Sequence, residues 1–460
     1  MRATGSLRSA ALLCGLFILG VSAQTPKLPE PYQTIFDLAH GAPPEFAADA
    51  LLGLAESGKI ARKEDRQALI EEAFRLAGST QYRMPLRALP GYDSDSRPAF
   101  LNQAYRLKLD ALSLQTRAVR GMLAIDKPKA RALFGEIAAP ALPALSCDDA
   151  LVPDAGDFYQ VLGLVVDSAF SDKERGKEEH INFLLSYLAR VDSPAQLAPV
   201  ARLIKSISFS PDQRDAVVAR FNAILETLSG DDRSFSATVA ALQSEITPEM
   251  SAAFDKYLQR GVAGTRCKDS LQFTAKLAQQ EAGPAKTEGL AKVERYWESD
   301  QAKRIFRQAQ KLRFSASGSM LTNADRSTQD WNRQLTDFLK DLADWSASQE
   351  KSEADFYHEK CLVYESLVDL VPTAEQRRGT LEAFIAFITS SNLQQQSPAE
   401  WFVHARNLYD RTKNTNAAEA DKVLDAYQAS GNPVLGLFAT MEKVFGSKVP
   451  SWAAQSASTN

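Results

Sequence analysis

Histidine and cysteine are scarce, with four of each in 460 residues. That excludes a disulfide-dense scaffold and leaves few ligands for a metal centre. The spacings HExxH, paired CxxC and CxxCH do not occur. GxSxG, GxxxxGK(S/T) and GxGxxG are missing from the chain after its leader, so the usual hydrolase, nucleoside-triphosphate and dinucleotide signatures are absent. No charge of one sign dominates. The formal net charge is −4, which offers none of the concentrated basic field that nucleic acid requires. No run alternates at period two, so essentially no sheet is expected. After the first 23 residues no stretch is apolar enough to span a bilayer.

What is present begins with a leader. Arg2 and Arg8 supply a positive start, and Ala10 to Gly20 is an apolar run too short to cross a membrane comfortably. Val21-Ser22-Ala23 is a small-residue cleavage site, so cleavage after Ala23 and a mature start at Gln24 are expected. Cys14 is preceded by Leu13, where lipid attachment wants a small residue. The expected location is therefore the periplasm or the outside of the cell, with no transmembrane anchor in the mature chain. Losing Arg2 and Arg8 makes the mature chain more acidic by two charges.

Pro43 to Ala77 reads as two amphipathic helices joined at Gly58. Prolines suit a first helical turn, and Gly suits a left-handed residue past a helix end. Phe46, Ala50, Leu51 and Leu54 form one apolar stripe, and Leu69, Ile70, Ala73, Phe74 and Ala77 form the next. Asp49, Glu56, Arg66, Glu71 and Arg75 are expected toward water. The pair needs a neighbour to bury its stripes, and it is expected to nucleate or cap the N-terminal end of a stack.

Helix starts punctuate the rest. Ser193-Pro194-Ala195-Gln196, Ser210-Pro211-Asp212-Gln213 and Ser397-Pro398-Ala399-Glu400 each combine a Ser N-cap, a Pro at the first position and a Gln or Glu that closes a capping box. Thr373-Ala374-Glu375-Gln376 is the same without proline. The spacing predicts helices over 44–57, 63–77, 98–123, 128–138, 155–171, 173–191, 195–207, 211–228, 236–246, 248–262, 287–313, 327–346, 352–371, 374–390, 398–412, 416–429 and 433–445. The expected fold is all-α, an irregular α-solenoid of stacked antiparallel hairpins, with a closed α/α toroid as the alternative. The expected organisation is a leader over 1–23, a helical block over 24–313, a flexible joint over 314–326, a second helical block over 327–446 and a disordered tail over 447–460.

The segment PPEFAADALL (43–52), together with the export signal and the all-helical pattern, resembles uncharacterised exported proteins of acidobacteria-like bacteria. The resemblance is strongest over 43–77 and weaker around Cys147 and Cys267. It implies a helical repeat of tetratricopeptide-like or HEAT-like type and carries over no catalytic residue. The fixed Trp, Gly, Tyr, Ala and Pro positions of a tetratricopeptide unit are not reproduced.

Three cysteines remain after the leader. Cys361 lies on the stripe Tyr357, Cys361, Tyr364, Val368, Val371 and reads as a packed core thiol. Cys147 and Cys267 each follow a loop-like stretch, so a Cys147–Cys267 disulfide is expected in an oxidising compartment. Asp148, Asp149, Asp154 and Asp157 are calcium-type ligands, yet they lack the Gly and terminal Glu of an EF-hand loop. Asp154 and Asp157 are read as helix caps. His358, Cys361 and Asp355 share a helix but form no recognised zinc pattern, and His40, His180 and His404 are scattered. Lys303, Arg307 and Lys311 make a basic stripe opposite Ile305, Ala309 and Leu312, read as a solvated face. Neither a metal nor a cofactor is expected.

The loop over 79–97 is the expected recognition element. It is long for a compact helical array, and it carries Tyr82, Arg83, Arg87, Tyr92 and Arg97, side chains that contact surfaces favour. The function expected first is a protein–protein interaction scaffold of the cell envelope with no catalysis of its own. Its partner would be an envelope or secreted protein. The alternative is a glycosidase or polysaccharide lyase on a toroid, with Trp297, Trp331, Trp345 and Trp401 as sugar platforms and Asp330 and Asp341 as a poorly matched carboxylate pair.

Overall fold

The computed structural model describes residues 28–88, 97–228, 232–265, 267, 300–346, 353–391 and 397–446. The leader, Tyr92, Trp297 and the tail from 447 lie outside these residues. The fold is all-α. Helices in the first half are α1 (Tyr32–Gly41), α2 (Pro44–Glu56), α3 (Lys63–Ala77), α4 (Arg97–Arg106), α5 (Ala111–Leu123), α6 (Lys127–Glu136) and α7 (Gly156–Ser168). They continue with α8 (Asp172–Gly176), α9 (Glu179–Leu188), α10 (Leu197–Ser206), α11 (Pro211–Thr227), α12 (Asp232–Gln243) and α13 (Ser251–Gly264). The second half holds α14 (Asp300–Arg313), α15 (Asn323–Arg326), α16 (Gln329–Asp344), α17 (Glu353–Val368), α18 (Ala374–Ser390), α19 (Pro398–Thr415), α20 (Ala417–Ala429) and α21 (Pro433–Phe445).

The Ser and Thr N-caps form as the sequence predicts, with three of the four expected boxes complete. Ser193, Ser210 and Thr373 make complete capping boxes with Gln196, Gln213 and Gln376. Ser397 accepts from the Glu400 amide. Gly58 takes a φ of +69°, the left-handed turn expected between α2 and α3.

The order of packing in space differs from the order in sequence. α14 packs on α16 and α17, α17 on α18 and α19, α19 on α20, and α20 on α21. α21 then packs on α1 and α2. From there the contacts pass through α3, α5, α7 and α10 to α12, with α9, α11 and α13 alongside. The last described helix thus lies against the first, and the middle of the chain supplies both ends of this order. Phe46 of α2, Phe402 of α19 and Phe438 of α21 join the two halves, each neighbouring pair of rings 5.2 Å apart and edge to face. Such pairs add about 0.5–1.5 kcal/mol each beyond their burial.

This order corrects the expectation that the 43–77 hairpin caps one end. α2 is buried along its whole length from Glu45 to Ala55 because α1, α3, α5 and α21 surround it. Asp49 is therefore not in water. It is 1 % exposed, and its Oδ1 lies 2.6 Å from Nη1 of Arg117 on α5.

Other expectations also change. α1 has no counterpart among the predicted helices. The predicted helix over 98–123 is two helices, broken at Lys108 (φ +54°), and 173–191 breaks likewise at Glu178 (φ +59°). Two three-residue strands form where no sheet was expected, β1 (Leu86–Ala88) and β2 (Leu151–Pro153), paired antiparallel with Arg87 opposite Val152. The segment 314–326 holds α15, and Arg326 donates to the carbonyls of Leu321 and Leu370.

Helix approach is close at Gly261 of α13. A Cβ there would sit 2.2 Å from the Phe235 ring of α12. Gly261→Ala is expected to cost about 1–3 kcal/mol through overpacking. Gly264→Ala, with nothing within 4 Å of its Cβ, serves as the control. Urea denaturation followed by circular dichroism measures both, and equal midpoints would contradict this packing.

Candidate functional site: a cleft beside the ribbon

The two interhelical loops meet to build the site. Asp154 N donates to the Pro85 carbonyl, and β1 and β2 zip together from there. The Ala88 amide donates to Oδ1 of Asn102 on α4, which occupies a backbone donor of the ribbon. The chain then turns at Lys108. Asp110 caps α5 by accepting from the Ser113 amide at 2.8 Å. Burial pushes the Asp110 carboxyl up to about 6, against the lowering effect of that bond. The Ala111 and Leu112 amides donate back to the Tyr82 and Arg83 carbonyls, so the start of α5 is fixed to the strand that leads into β1.

The ribbon, α4, the start of α5, α7 and α10 enclose a cleft of about 640 Å³. Four cationic side chains line it: Arg87 from β1, Arg106 from α4, Lys108 from the turn and Arg202 from α10. Two of these are paired. Lys108 Nζ lies 2.6 Å from Asp157 Oδ2, and Arg202 Nε lies 3.0 Å from Glu245 Oε1. Arg87 and Arg106 have no carboxylate within ion-pair distance among the described residues. Ser113 also lines the cleft. Its hydroxyl is buried beside the Asp110 carboxylate. Two guanidinium groups are a natural receptor for carboxylates.

The predicted recognition residues fall in different places. Arg87 lines the cleft. Tyr82 does not face outward. Its hydroxyl meets Ser397 and lies 3.3 Å from Glu400 Oε1, tying the loop to α19, and burial raises its pKa. Arg83 is exposed and donates to the Gly78 carbonyl at 2.9 Å. Arg97 opens α4. Tyr92 lies outside the described residues. Arg106, Lys108 and Ser113 are not among the candidates, because the apolar period reads 98–123 as one helix, and Arg202 lies on the separate predicted helix 195–207. The available signal was Asp110, a good N-cap residue in the middle of that supposed helix.

The other candidates have structural partners. Asp154 Oδ1 accepts from the Gly156 amide, Asp149 accepts from the Ser146 amide, and Asp157 pairs with Lys108. Among the described residues no group of three His, Cys, Asp or Glu side chains is placed to hold a metal ion. Trp331, Trp345 and Trp401 are buried, and the Trp331 and Trp401 indoles donate to the Leu312 carbonyl and the Ser391 hydroxyl. On the exposed side of α16, Asp330 accepts from Gln334 of the same helix and Asp341 accepts from Gln308 of α14. Lys303, Arg307 and Lys311 are exposed, with Ile305, Ala309 and Leu312 buried behind them.

The expected disulfide is present. Cys147 and Cys267 are bonded, with Cα atoms 5.2 Å apart, and Cys361 is a buried free thiol. Among the described residues no helix is long and apolar enough to cross a membrane. No family model matches this chain, and no curated protein or solved structure matches it at a significant level.

Proposed function

We propose that the chain is an exported, non-catalytic helical-repeat protein of the cell envelope that binds a protein partner by an acidic segment. The observation that carries this reading is the pair Arg87 and Arg106. They reach one cleft from two different elements, with no carboxylate of their own within ion-pair distance among the described residues. A 640 Å³ cleft is large enough for several side chains of an extended segment. The export signal, the disulfide and the stacked helices support placing it in the envelope. Solenoid packing suits recognition because successive helices extend a surface.

A fluorescent deca-glutamate peptide is the probe. It is expected to bind the oxidised mature chain, more weakly as salt rises. Arg87→Ala with Arg106→Ala is expected to weaken binding by about 10–100-fold, since charged hydrogen bonds contribute about 1.5–3 kcal/mol each. The circular dichroism spectrum should not change, because neither side chain bonds to the fold among the described residues. These point variants are preferable to deleting 84–95, which would remove β1 and its pairing with β2. Equal affinity for the wild type and the double variant in fluorescence anisotropy would overturn the proposal.

A further inference from the structure

Over 300–321 the chain has five Lys and Arg and one Asp, against a formal net charge of −4 for the whole sequence. Lys303, Arg304, Arg307 and Lys311 of α14 are exposed, while Ile305, Ala309 and Leu312 are buried where α14 packs on α16 and α17. At about 3.6 residues per turn the four cations fall within an arc of about 100°, opposite the three buried side chains. Lys303 lies 4.0 Å from the exposed Asp300. Arg304, Arg307 and Lys311 have no carboxylate within ion-pair distance among the described residues. At the edge of the stripe Asp341 of α16 accepts from Gln308. Arg313, the fifth cation, turns the other way and donates to the Ser366 carbonyl of α17.

The stripe runs into an apolar finger. The Phe314 amide donates to the Gln310 carbonyl, so the helical period carries past α14 and sets Phe314 on the face of Arg307 and Lys311. The chain then doubles back through Gly318, whose φ is +81°. Ser315 N donates to the Ser319 carbonyl and Leu321 N to the Arg313 carbonyl, both at 2.8 Å. These bonds flank Phe314 and Met320, which form an antiparallel bridge. The two are therefore a non-hydrogen-bonded pair, the kind whose side chains share a face and lie closest together. Phe314 is 40 % exposed, and Met320, at 69 %, is the most exposed large apolar side chain among the described residues.

Folding accounts for neither half of this surface. Cations four residues apart on one helix face repel each other, and apolar side chains left in water contribute nothing to the core. Together they suit a lipid surface, where cations meet phosphate headgroups and apolar side chains enter the layer beneath. A soluble polyanion would engage the stripe and leave the finger in water. The finger holds itself by its own backbone bonds, so it keeps its shape when its tip leaves water.

We propose that α14 and the 314–320 finger dock the protein on a bilayer surface rich in anionic headgroups. Lys303, Arg304, Arg307 and Lys311 meet the lipid phosphates, and Phe314 and Met320 enter the boundary between headgroups and acyl chains. This surface shares no residue with the cleft and does not depend on the reading of the cleft.

Co-sedimentation of the oxidised mature chain with vesicles tests the docking. Vesicles of phosphatidylcholine with about 30 % phosphatidylglycerol are expected to bind it, more weakly as salt rises, and vesicles of phosphatidylcholine alone are not. Each cation at an anionic surface contributes a factor of about five, so Lys303→Gln, Arg307→Gln and Lys311→Gln together are expected to weaken binding about 100-fold. Phe314→Ser with Met320→Ser is expected to weaken it about tenfold. All five positions are exposed, so wild-type circular dichroism spectra are expected for both variants. Wild-type affinity in either variant, or equal binding to neutral vesicles, overturns the proposal. Inorganic polyphosphate bound more tightly than the vesicles, by the wild type and the apolar variant alike, makes the stripe a polyanion site and overturns it too. Arg87→Ala with Arg106→Ala is expected to bind vesicles like the wild type, and a loss there moves the lipid contact to the cleft and overturns it equally. An environment-sensitive dye on Met320→Cys reads insertion directly. Its emission is expected to brighten and shift to the blue on the anionic vesicles, with no change for the same dye on Lys59→Cys in the exposed turn before α3. An unchanged spectrum at position 320 overturns the docking.

Discussion

Replacing Arg117 with alanine is expected to lower stability by about 3–5 kcal/mol, the usual result of removing one partner from a buried ion pair. Arg117 sits on α5 and reaches across to α2. Its Nη1 lies 2.6 Å from Asp49, and its Nη2 and Nε lie 2.6 and 2.9 Å from the two oxygens of Glu56. Burial alone would pull the guanidinium pKa down, but the Asp49 and Glu56 charges outweigh it, so the group stays charged. The Asp49 side chain is 2 % exposed and cannot recover its loss in water. The cost is therefore the buried carboxylate losing its guanidinium charge more than the missing bond. Adding Asp49→Asn to Arg117→Ala removes that charge and is expected to restore part of the loss. Urea denaturation reads both variants. A single Arg117→Ala variant within about 0.5 kcal/mol of the wild type, as for an ordinary surface change, would contradict the buried placement of α2.

Opening the Cys147–Cys267 bond is expected to have an effect of the same size. The two residues are 120 apart in sequence, and the chain-entropy model gives about 4–5 kcal/mol for a loop of that length. Cys147 lies in the loop that leads to β2, so the bond also fixes that loop to the end of the chain's first half. Cys361 cannot substitute, because it is packed in the core of α17 at 0 % exposure. The measurement is the denaturation midpoint of Cys147→Ser with Cys267→Ser against the oxidised wild type. Added reductant should shift the wild type to the variant's midpoint and leave the variant unmoved. Coincident midpoints for variant and oxidised wild type would contradict a stabilising role for the bond.

Much of the fold was legible because its signals are local. Capping boxes, prolines at first turns and apolar stripes each act within four residues, and the helices that carry them formed where expected. The failures share a physical cause. Lys108 and Glu178 take left-handed conformations that glycine usually occupies, so nothing in the apolar period marks the breaks beside them. α1 has Pro31 at its N-cap and no side-chain cap bond, which leaves no signature to read. A single apolar stripe places Asp49 in water, whereas α2 is enclosed on every side.

The site was less legible than the fold. Arg87 stood out because its loop is long. Arg106, Ser113 and Arg202 belong to three other segments, and only the ribbon and the turn at Lys108 bring them to one cleft. The contact between His358 of α17 and His404 of α19 is hidden for the same reason. The two are 46 residues apart, and each alone reads as an isolated core histidine. The disulfide was the exception, since three cysteines with one on a core stripe leave a single pairing.

An acidic segment of a partner is proposed to occupy the cleft between the ribbon and α10. The most direct measurement uses a deca-glutamate peptide with a photoreactive benzophenone at its centre, cross-linked to the oxidised mature chain and mapped by tandem mass spectrometry. Cross-links are expected on 85–88, 102–108 and 199–206, and an excess of unlabelled peptide should remove them. Cross-links confined to the exposed stripe of Lys303, Arg307 and Lys311, or spread over the surface without competition, would contradict the claim.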